Sequence, residues 1–374
     1  MRSSETEQQT RRFVEICNAC RYCEGYCAVF PAIELRRQFS SGDLSYLANL
    51  CHDCRGCYYS CQYAPPHEFA LNLPKVLAEL RLETYERYAW PRPLAALFRR
   101  SGIAISILTF LSIAIFLWLA KPESPPALVS SGPGAFYAVI PEGLMVAITG
   151  IASLFALSSL AMGLVNFWRD TAGLPPPDAP SFFAALADLL TLRNLGGGGY
   201  GCNNEDESFS QSRRYFHHAL FYGFFLCFAS TCAAAVYEHI LGRLSPYPLF
   251  SLPVLLGAAG GIAMLIGTAG LVRIKLAADP APAAKALLDI DYAFLVLLFV
   301  AAATGLILLM LRNTGAMSAL LAVHLGVIVA LFLILPYCKF VHGIYRAAAL
   351  LRFAAERPRR SARAPSVESS SGSV

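Results

Sequence analysis

Six apolar stretches, each long enough to cross a bilayer as a helix, constrain this chain more than any other feature. They cover residues 102–120, 138–168, 216–240, 250–272, 291–311 and 318–344. A spanning helix needs about 20 mostly apolar residues. Lipid offers the backbone no hydrogen-bond partners, so helices are the form such runs must take. Buried helices of a water-soluble core are the alternative, and six such lengths in succession argue against it. Composition agrees: 56% of residues are hydrophobic and only 15% charged, against about 25% charged in an ordinary soluble domain. The first hundred residues are different, being polar and rich in cysteine. The expected fold is therefore all-α. Residues 1–73 form a helical, cysteine-rich head, 74–101 an amphipathic linker helix, 102–345 a six-helix membrane bundle, and 346–374 a basic, Ser-rich, disordered tail.

The head carries two cysteine quartets with one spacing, C-x2-C-x2-C-x3-C: Cys17, Cys20, Cys23, Cys27, then Cys51, Cys54, Cys57, Cys61. That spacing belongs to chains that hold cubane iron–sulfur clusters, and two quartets imply two [4Fe–4S] clusters. In the two-cluster arrangement the fourth cysteine of each run serves the other cluster. Cys17, Cys20, Cys23 and Cys61 are then one set, and Cys51, Cys54, Cys57 and Cys27 the other. Soft thiolate sulfur suits iron and spreads the charge of a redox step. Zinc sites favour separated C-x2-C pairs, and a third cysteine two residues on fits them poorly. Disulfides are excluded by geometry in runs this tight. Neither quartet is followed by proline, since Ala28 and Gln62 come next. Ile33–Arg37 and Leu44–Leu50 look helical, so a mostly helical cluster domain is expected rather than a small β-type one. His52 and His67 flank the second quartet and are read as structural neighbours.

Residues Met1–Arg12 are polar and lack the apolar core of a secretory signal. The head is thus expected on the cytoplasmic side, where thiols stay reduced. Loop charge gives the same orientation. Gap 169–215 carries Arg169, Arg193, Arg213 and Arg214, gap 273–290 carries Arg273, Lys275 and Lys285, and the tail is rich in arginine. The opposite gaps carry only Lys121, Arg243 and Arg312. The positive-inside rule then places both termini in the cytoplasm of a bacterial inner membrane. No folded basic patch points to nucleic acid. The glycine run 196–199 ahead of Tyr200-Gly201-Cys202-Asn203-Asn204 follows no evident strand, so a docking loop is favoured over a phosphate cradle. Cys202 has no second cysteine nearby in sequence and is read as an unpaired thiol.

Histidines at membrane depth are functional candidates. His217 and His218 open the third stretch and His239 ends it; His324 and His342 lie in the sixth. On one continuous helix His324 and His342, eighteen residues apart, would share a face and stand about 27 Å apart along the axis. Antiparallel packing would set His217 or His218 level with His342, and His239 level with His324. Two imidazoles on facing helices are the ligand set of a b-type haem. One inner haem is expected, a second outer haem on His239 and His324 is left open, and phase does not separate His217 from His218. Clusters and haem each move one electron at a time, so the parts form a relay whose membrane acceptor is a quinone. Tyr337 and Lys339, beside His342, are candidate quinone contacts.

These residues resemble the tricarballylate-utilisation protein B family, also called citrate-utilisation protein B. The resemblance rests on the two quartets, Gly201-Cys202-Asn203, Ser212-Arg213-Arg214-Tyr215-Phe216-His217-His218, Phe221-Tyr222-Gly223-Phe224, Ser251–Gly257, His324-Leu325-Gly326 and Pro336-Tyr337-Cys338-Lys339-Phe340-Val341-His342-Gly343. It covers Cys17 to about Arg352. It implies an iron–sulfur and haem membrane protein that takes electrons from the reduced flavin of an FAD-dependent tricarballylate dehydrogenase, or a similar flavoprotein, and passes them to the quinone pool. Substrate dehydrogenation would then lie in the partner. Two other readings compete. One is a self-contained, quinone-linked oxidoreductase of heterodisulfide-reductase type, and the other a redox-sensing or transport protein. Neither half of the chain has a G-x-G-x-x-G in a βαβ context, which favours a separate flavin donor.

Overall fold

The computed structural model describes residues 4–120, 132–171, 177–197 and 200–357. The arginine-rich tail beyond 357, Lys121, and the side chains of Arg99 and Arg100 lie outside the described residues. Among the described residues every regular element is a helix, and one isolated bridge joins Cys202 to Ser210.

The head is built from α1 (Glu5–Cys20), α2 (Val29–Glu34), α3 (Ser41–Leu50), α4 (Gly56–Tyr59) and α5 (Leu73–Tyr88). Capping sets where these start. Ser4 accepts from the amide of Glu7, and Ser40 forms a reciprocal capping box with Asp43. Each such cap satisfies amides that a helix start otherwise leaves unpaired, worth ~1 kcal/mol. Phe13, Val14, Val29, Ile33, Leu44, Leu47, Leu77 and Leu80 close the core, each contributing ~1.5–3 kcal/mol by burial. The first part of the stretch 74–101, expected as an amphipathic linker helix, belongs to this core: Val76, Leu77, Leu80 and Tyr85 of α5 are buried. The reason is that α5 packs on α1 and α3, so its apolar stripe meets protein.

The bundle follows: α6 (Ser101–Leu119), a short α7 (Ala135–Val139), α8 (Glu142–Thr171), α9 (Ala179–Leu190), α10 (Ser212–His239), α11 (Leu252–Ala277), α12 (Leu288–Leu311), α13 (Met317–Ile334) and α14 (Val341–Glu356). Among the described residues six helices are long and apolar enough to span: Gly102–Leu119, Glu142–Thr171, Ser212–His239, Leu252–Ala277, Lys285–Leu311 and Met317–Tyr337. Their outer faces present large apolar side chains, such as Trp118 at 82% and Met310 at 80% exposure. Water would penalise such a surface and lipid does not, so this is a multi-pass membrane protein. α10 and α11 pack closely because glycines line the seam. A Cβ on Gly260 would sit 2.8 Å from the Cys227 amide nitrogen, and one on Gly267 2.5 Å from that of Leu220.

The sixth apolar run is not one helix. α13 ends at Ile334, a 3-10 turn spans Leu335–Tyr337, and α14 begins at Val341. Pro336 explains the break, since it lacks an amide donor and its ring crowds the preceding turn. His324 and His342 therefore sit on different helices, and the shared-face argument for them fails.

α14 also overturns the disordered tail between 346 and 356. It is helical there and packs against α3, α8 and α9. Arg352 is buried over the Tyr46 ring and pairs with Asp43 at 2.9 Å and Glu356 at 3.0 Å. Arg36 pairs with the same two carboxylates. The head also meets the loops that precede α10 and α12: Arg55 donates to the Asn204 and Asp279 carbonyls, Tyr59 to the Asp279 carboxylate and Asn72 to the Ala281 carbonyl. The head, both of these loops and α14 thus share one side of the bundle.

Replacing Arg352 with alanine leaves the half-buried carboxylates of Asp43 and Glu356 with Arg36 alone and is expected to cost ~1.5–3 kcal/mol, the worth of a hydrogen bond to a charged group, read as earlier thermal unfolding in detergent. Burial alone would raise the Asp43 carboxyl, but hydrogen bonds from Arg36 and Ser40 outweigh it and hold the group at about 2. Its contribution is therefore complete above the unfolded carboxyl's range and is lost as pH falls from near 4 towards 2. Wild-type unfolding temperature is expected to drop across that window, and less so in Asp43→Asn.

Candidate redox site

The two quartets fold around left-handed residues. Arg21 (φ 57°) lies between Cys20 and Cys23, Asp53 (φ 55°) between Cys51 and Cys54, and Arg55 (φ 66°) between Cys54 and Cys57. Each costs a non-glycine residue about 1–2 kcal/mol. The turns bend the chain back so that successive thiols face a common space.

Cys17, Cys20, Cys23 and Cys61 line one pocket, open to solvent on one side, with Ile16, Phe30, Tyr63, Leu71 and Leu73. Cys57, of the second set, lines the same pocket, which brings the two sets side by side. Electrostatics sorts the thiols further. After burial, the groups that press on Cys17 are Cys23, Cys61 and Cys20. Those on Cys27 are Cys54 and Cys51. Cys17 and Cys23 are pushed up to about 12, chiefly by burial, and Cys27 and Cys57 well above the ordinary thiol value. Bare thiols here stay protonated, and only bound metal would make four adjacent thiolates stable. Among the described residues no three His, Cys, Asp or Glu side chains converge on a single ion. The first set surrounds a space instead of a point, as a polyatomic cluster requires.

The first set is near the surface, beside Tyr22 at 68% exposure. The second faces the bundle. The Cys51 carbonyl accepts from Arg81 Nη2 and Arg346 Nη2, each at 2.7 Å. Arg346 is on α14, one turn after His342. Arg213, at the start of α10, donates to the Asp53 carbonyl one turn before His217. His52 is buried with Nδ1 2.8 Å from the Leu50 carbonyl, and burial followed by Arg346 keeps its imidazole well below its usual value. His67 packs against Tyr63 and Phe69 and accepts from the Phe69 amide.

Of the membrane histidines, His217 and His342 come together, with ring centroids 6.1 Å apart and planes at 74°. Imidazoles on opposite sides of one metal, each nitrogen about 2.0–2.1 Å from it, place their centroids about 6 Å apart. His342 Nδ1 donates to the Lys339 carbonyl, which leaves Nε2 as the free ligand atom. Such a bond fixes tautomer and ring orientation. Burial, then Arg346 and Lys339, holds His342 well below its usual value and therefore neutral, as a ligand must be. His218 turns away, onto the Tyr222 ring. The outer histidines have separate neighbours: His239 stands 3.8 Å from Glu142, and His324 is 3.0 Å from the Thr304 hydroxyl.

The two quinone candidates are both engaged. Tyr337 is buried and donates to the Trp90 carbonyl at 2.8 Å. Lys339 pairs at 2.7 Å with Asp291, which also holds Lys275. Asp291→Asn would leave two lysines facing each other without a counter-ion. It is expected to cost ~3 kcal/mol in thermal unfolding, and Lys275→Met in the same background should recover part of the loss.

Several participants escaped the sequence reading. Cys202 is fully buried against Cys54, and the Asn203 amide donates to the Cys54 carbonyl at 2.9 Å. Arg81 and Arg346 carried no motif, and Arg213 stood only within the run Ser212–His218, with nothing to tie it to the quartets. Nothing in local spacing ties residues so distant in sequence to the second quartet.

Comparison with known proteins places these sites. The family described as citrate utilization protein B matches residues 91–363, and its Fer4-like domain matches residues 10–87. Citrate utilization protein B of Escherichia coli is 45% identical over 357 residues, covering 95% of this chain and 94% of that protein. No solved structure matches the chain.

Proposed function

Because the chain belongs to the citrate utilization protein B family, we propose that it carries electrons from the reduced flavin of a partner dehydrogenase to the membrane quinone pool. An iron–sulfur electron-transfer role follows from the Fer4-like domain and the cysteines. Cys17, Cys20, Cys23 and Cys61 hold one [4Fe–4S] cluster, and Cys27, Cys51, Cys54 and Cys57 the other. His217 and His342 hold a single b-type haem. When bound, these groups supply one-electron carriers. The stoichiometry balances: a reduced flavin releases two electrons, one after the other, and two protons, while a quinone takes up two of each.

The observation that carries this reading is spatial order. The first thiol set opens to water beside Tyr22. The second sits inboard, and its Cys51 carbonyl shares Arg346 with the turn that bears His342. The protein's own work is to fix these donor sets, to keep water from the inner one and to hold the imidazoles neutral. Lys339, ion-paired to Asp291 beside His342, is the retained quinone contact, because an ammonium has three protons to give whereas the single Tyr337 hydroxyl proton already goes to the Trp90 carbonyl. The outer histidines are not carried forward as a haem site. The donor is a flavoprotein of the tricarballylate dehydrogenase type. The head, the α9–α10 loop and α14 face the cytoplasm of the inner membrane.

Full-length protein purified without oxygen should show a b-type reduced-minus-oxidised spectrum. His342→Ala and His217→Ala should each abolish it, and His218→Ala should leave it in place. Unchanged haem in both of the first two variants refutes the ligand pair. Cys54→Ser should lower iron and acid-labile sulfide by about half, since one of two clusters is lost; retention of both in full would refute the thiol assignment.

A further inference from the structure

We infer that Arg81, Arg213 and Arg346 direct electron flow inward by raising the reduction potential of the inboard cluster relative to the outboard one. The inference rests on the cluster assignment above. All three side chains meet the second thiol set or its loop. Arg81 is 3% exposed and donates to the carbonyls of Ala48 and Cys51, both at 2.7 Å. Arg346 donates to that same Cys51 carbonyl, and its Nε is buried with no partner. Arg213 donates to the Asp53 carbonyl and also reaches Cys202, the thiol that lies against Cys54.

None of the three forms an ion pair among the described residues. Their bonds go to backbone carbonyls and, for Arg81 and Arg213, to the Tyr85 hydroxyl and the Cys202 thiol. The nearby carboxylates do not cancel them: Asp291 is held by Lys275 and Lys339, and Asp53 alone remains. His52 is neutral. Charges removed from water without counter-ions are strongly unfavourable. Evolution of such a cage makes physical sense when an anion completes it. Four thiolates around a cubane core carry net negative charge, and one unit more after reduction. The cage therefore favours the reduced form, and net charge and hydrogen bonding are levers that set cluster potentials.

Among the described residues the outboard set has no equivalent. Its pocket is lined mainly by apolar side chains, and its nearest cation, Arg21, is exposed and donates to the Asn18 carbonyl. Water and salt screen that charge, whereas buried charges are screened far less. Burial by itself would make the inboard cluster the harder one to reduce. The arginines reverse that order. In the transfer one electron leaves the outboard cluster and one enters the inboard cluster, with no bond made and no proton moved.

The test is an anaerobic redox titration of the full-length protein followed by electron paramagnetic resonance. The signal lost in Cys54→Ser identifies the inboard cluster, and the outboard cluster is the internal control. Arg346→Gln should make the inboard cluster at least about tenfold harder to reduce, a fall of about 59 mV for one electron, with the outboard midpoint unmoved. Arg346→Lys keeps the charge and should stay close to wild type. Arg81→Gln should shift in the same direction, and it serves as the reporter if Arg346→Gln loses the cluster. An unmoved inboard midpoint with both clusters present overturns the inference alone. So does a lysine variant that falls as far as the glutamine one. A wild-type protein lacking both signals overturns the function from which the inference starts.

Discussion

The structure depends on one docking contact, that of the cysteine-rich head on the helix that follows the last membrane span. Two arginines and two carboxylates, Arg36 and Arg352 with Asp43 and Glu356, close it over the Tyr46 ring. Buried ion pairs are expensive to form, and their net stabilisation is modest. Their geometry, however, permits one register. With α14 held in that register, Arg346 reaches the Cys51 carbonyl and His342 faces His217. A shift of one helical turn would separate both pairs. The thiol sets and the membrane histidines are thus parts of one body.

Burial divides that body into two electrical environments. The outboard thiols meet water and apolar side chains, while the inboard thiols meet guanidinium groups removed from solvent. Polar chemistry then continues along the head-facing side of the bundle, through Lys339, Asp291 and Lys275. Away from that side the helices turn outward apolar faces that only lipid accommodates. The membrane part supplies position and insulation, and the chemistry is concentrated where the head meets it.

Local patterns made much of this readable. The quartets stand out because cluster ligation needs thiols at short intervals, and spans stand out because lipid demands long apolar runs. His217 and His342 were reachable by pairing helices across the bundle, although the reasoning through a continuous sixth helix was unsound. Pro336 was visible in the run, yet its effect depends on whether neighbouring elements repair the freed backbone, which is a tertiary matter. α5 looked like a linker because a charged amphipathic helix can lie on lipid or on protein, and periodicity does not say which. Cys202, Arg81, Arg213 and Arg346 were hidden for a different reason. Single residues brought together over long sequence distances leave no periodic trace.

The central claim is that electrons reach the membrane through the head. Rapid mixing of the oxidised, full-length wild-type protein with a limiting reduced flavoprotein, followed by freeze-quenching, tests it most directly. The account predicts that reduced iron–sulfur signals rise first and that haem reduction follows as they decay. Haem reduction while both clusters remain oxidised, or a head that contains no iron and sulfide, would contradict it.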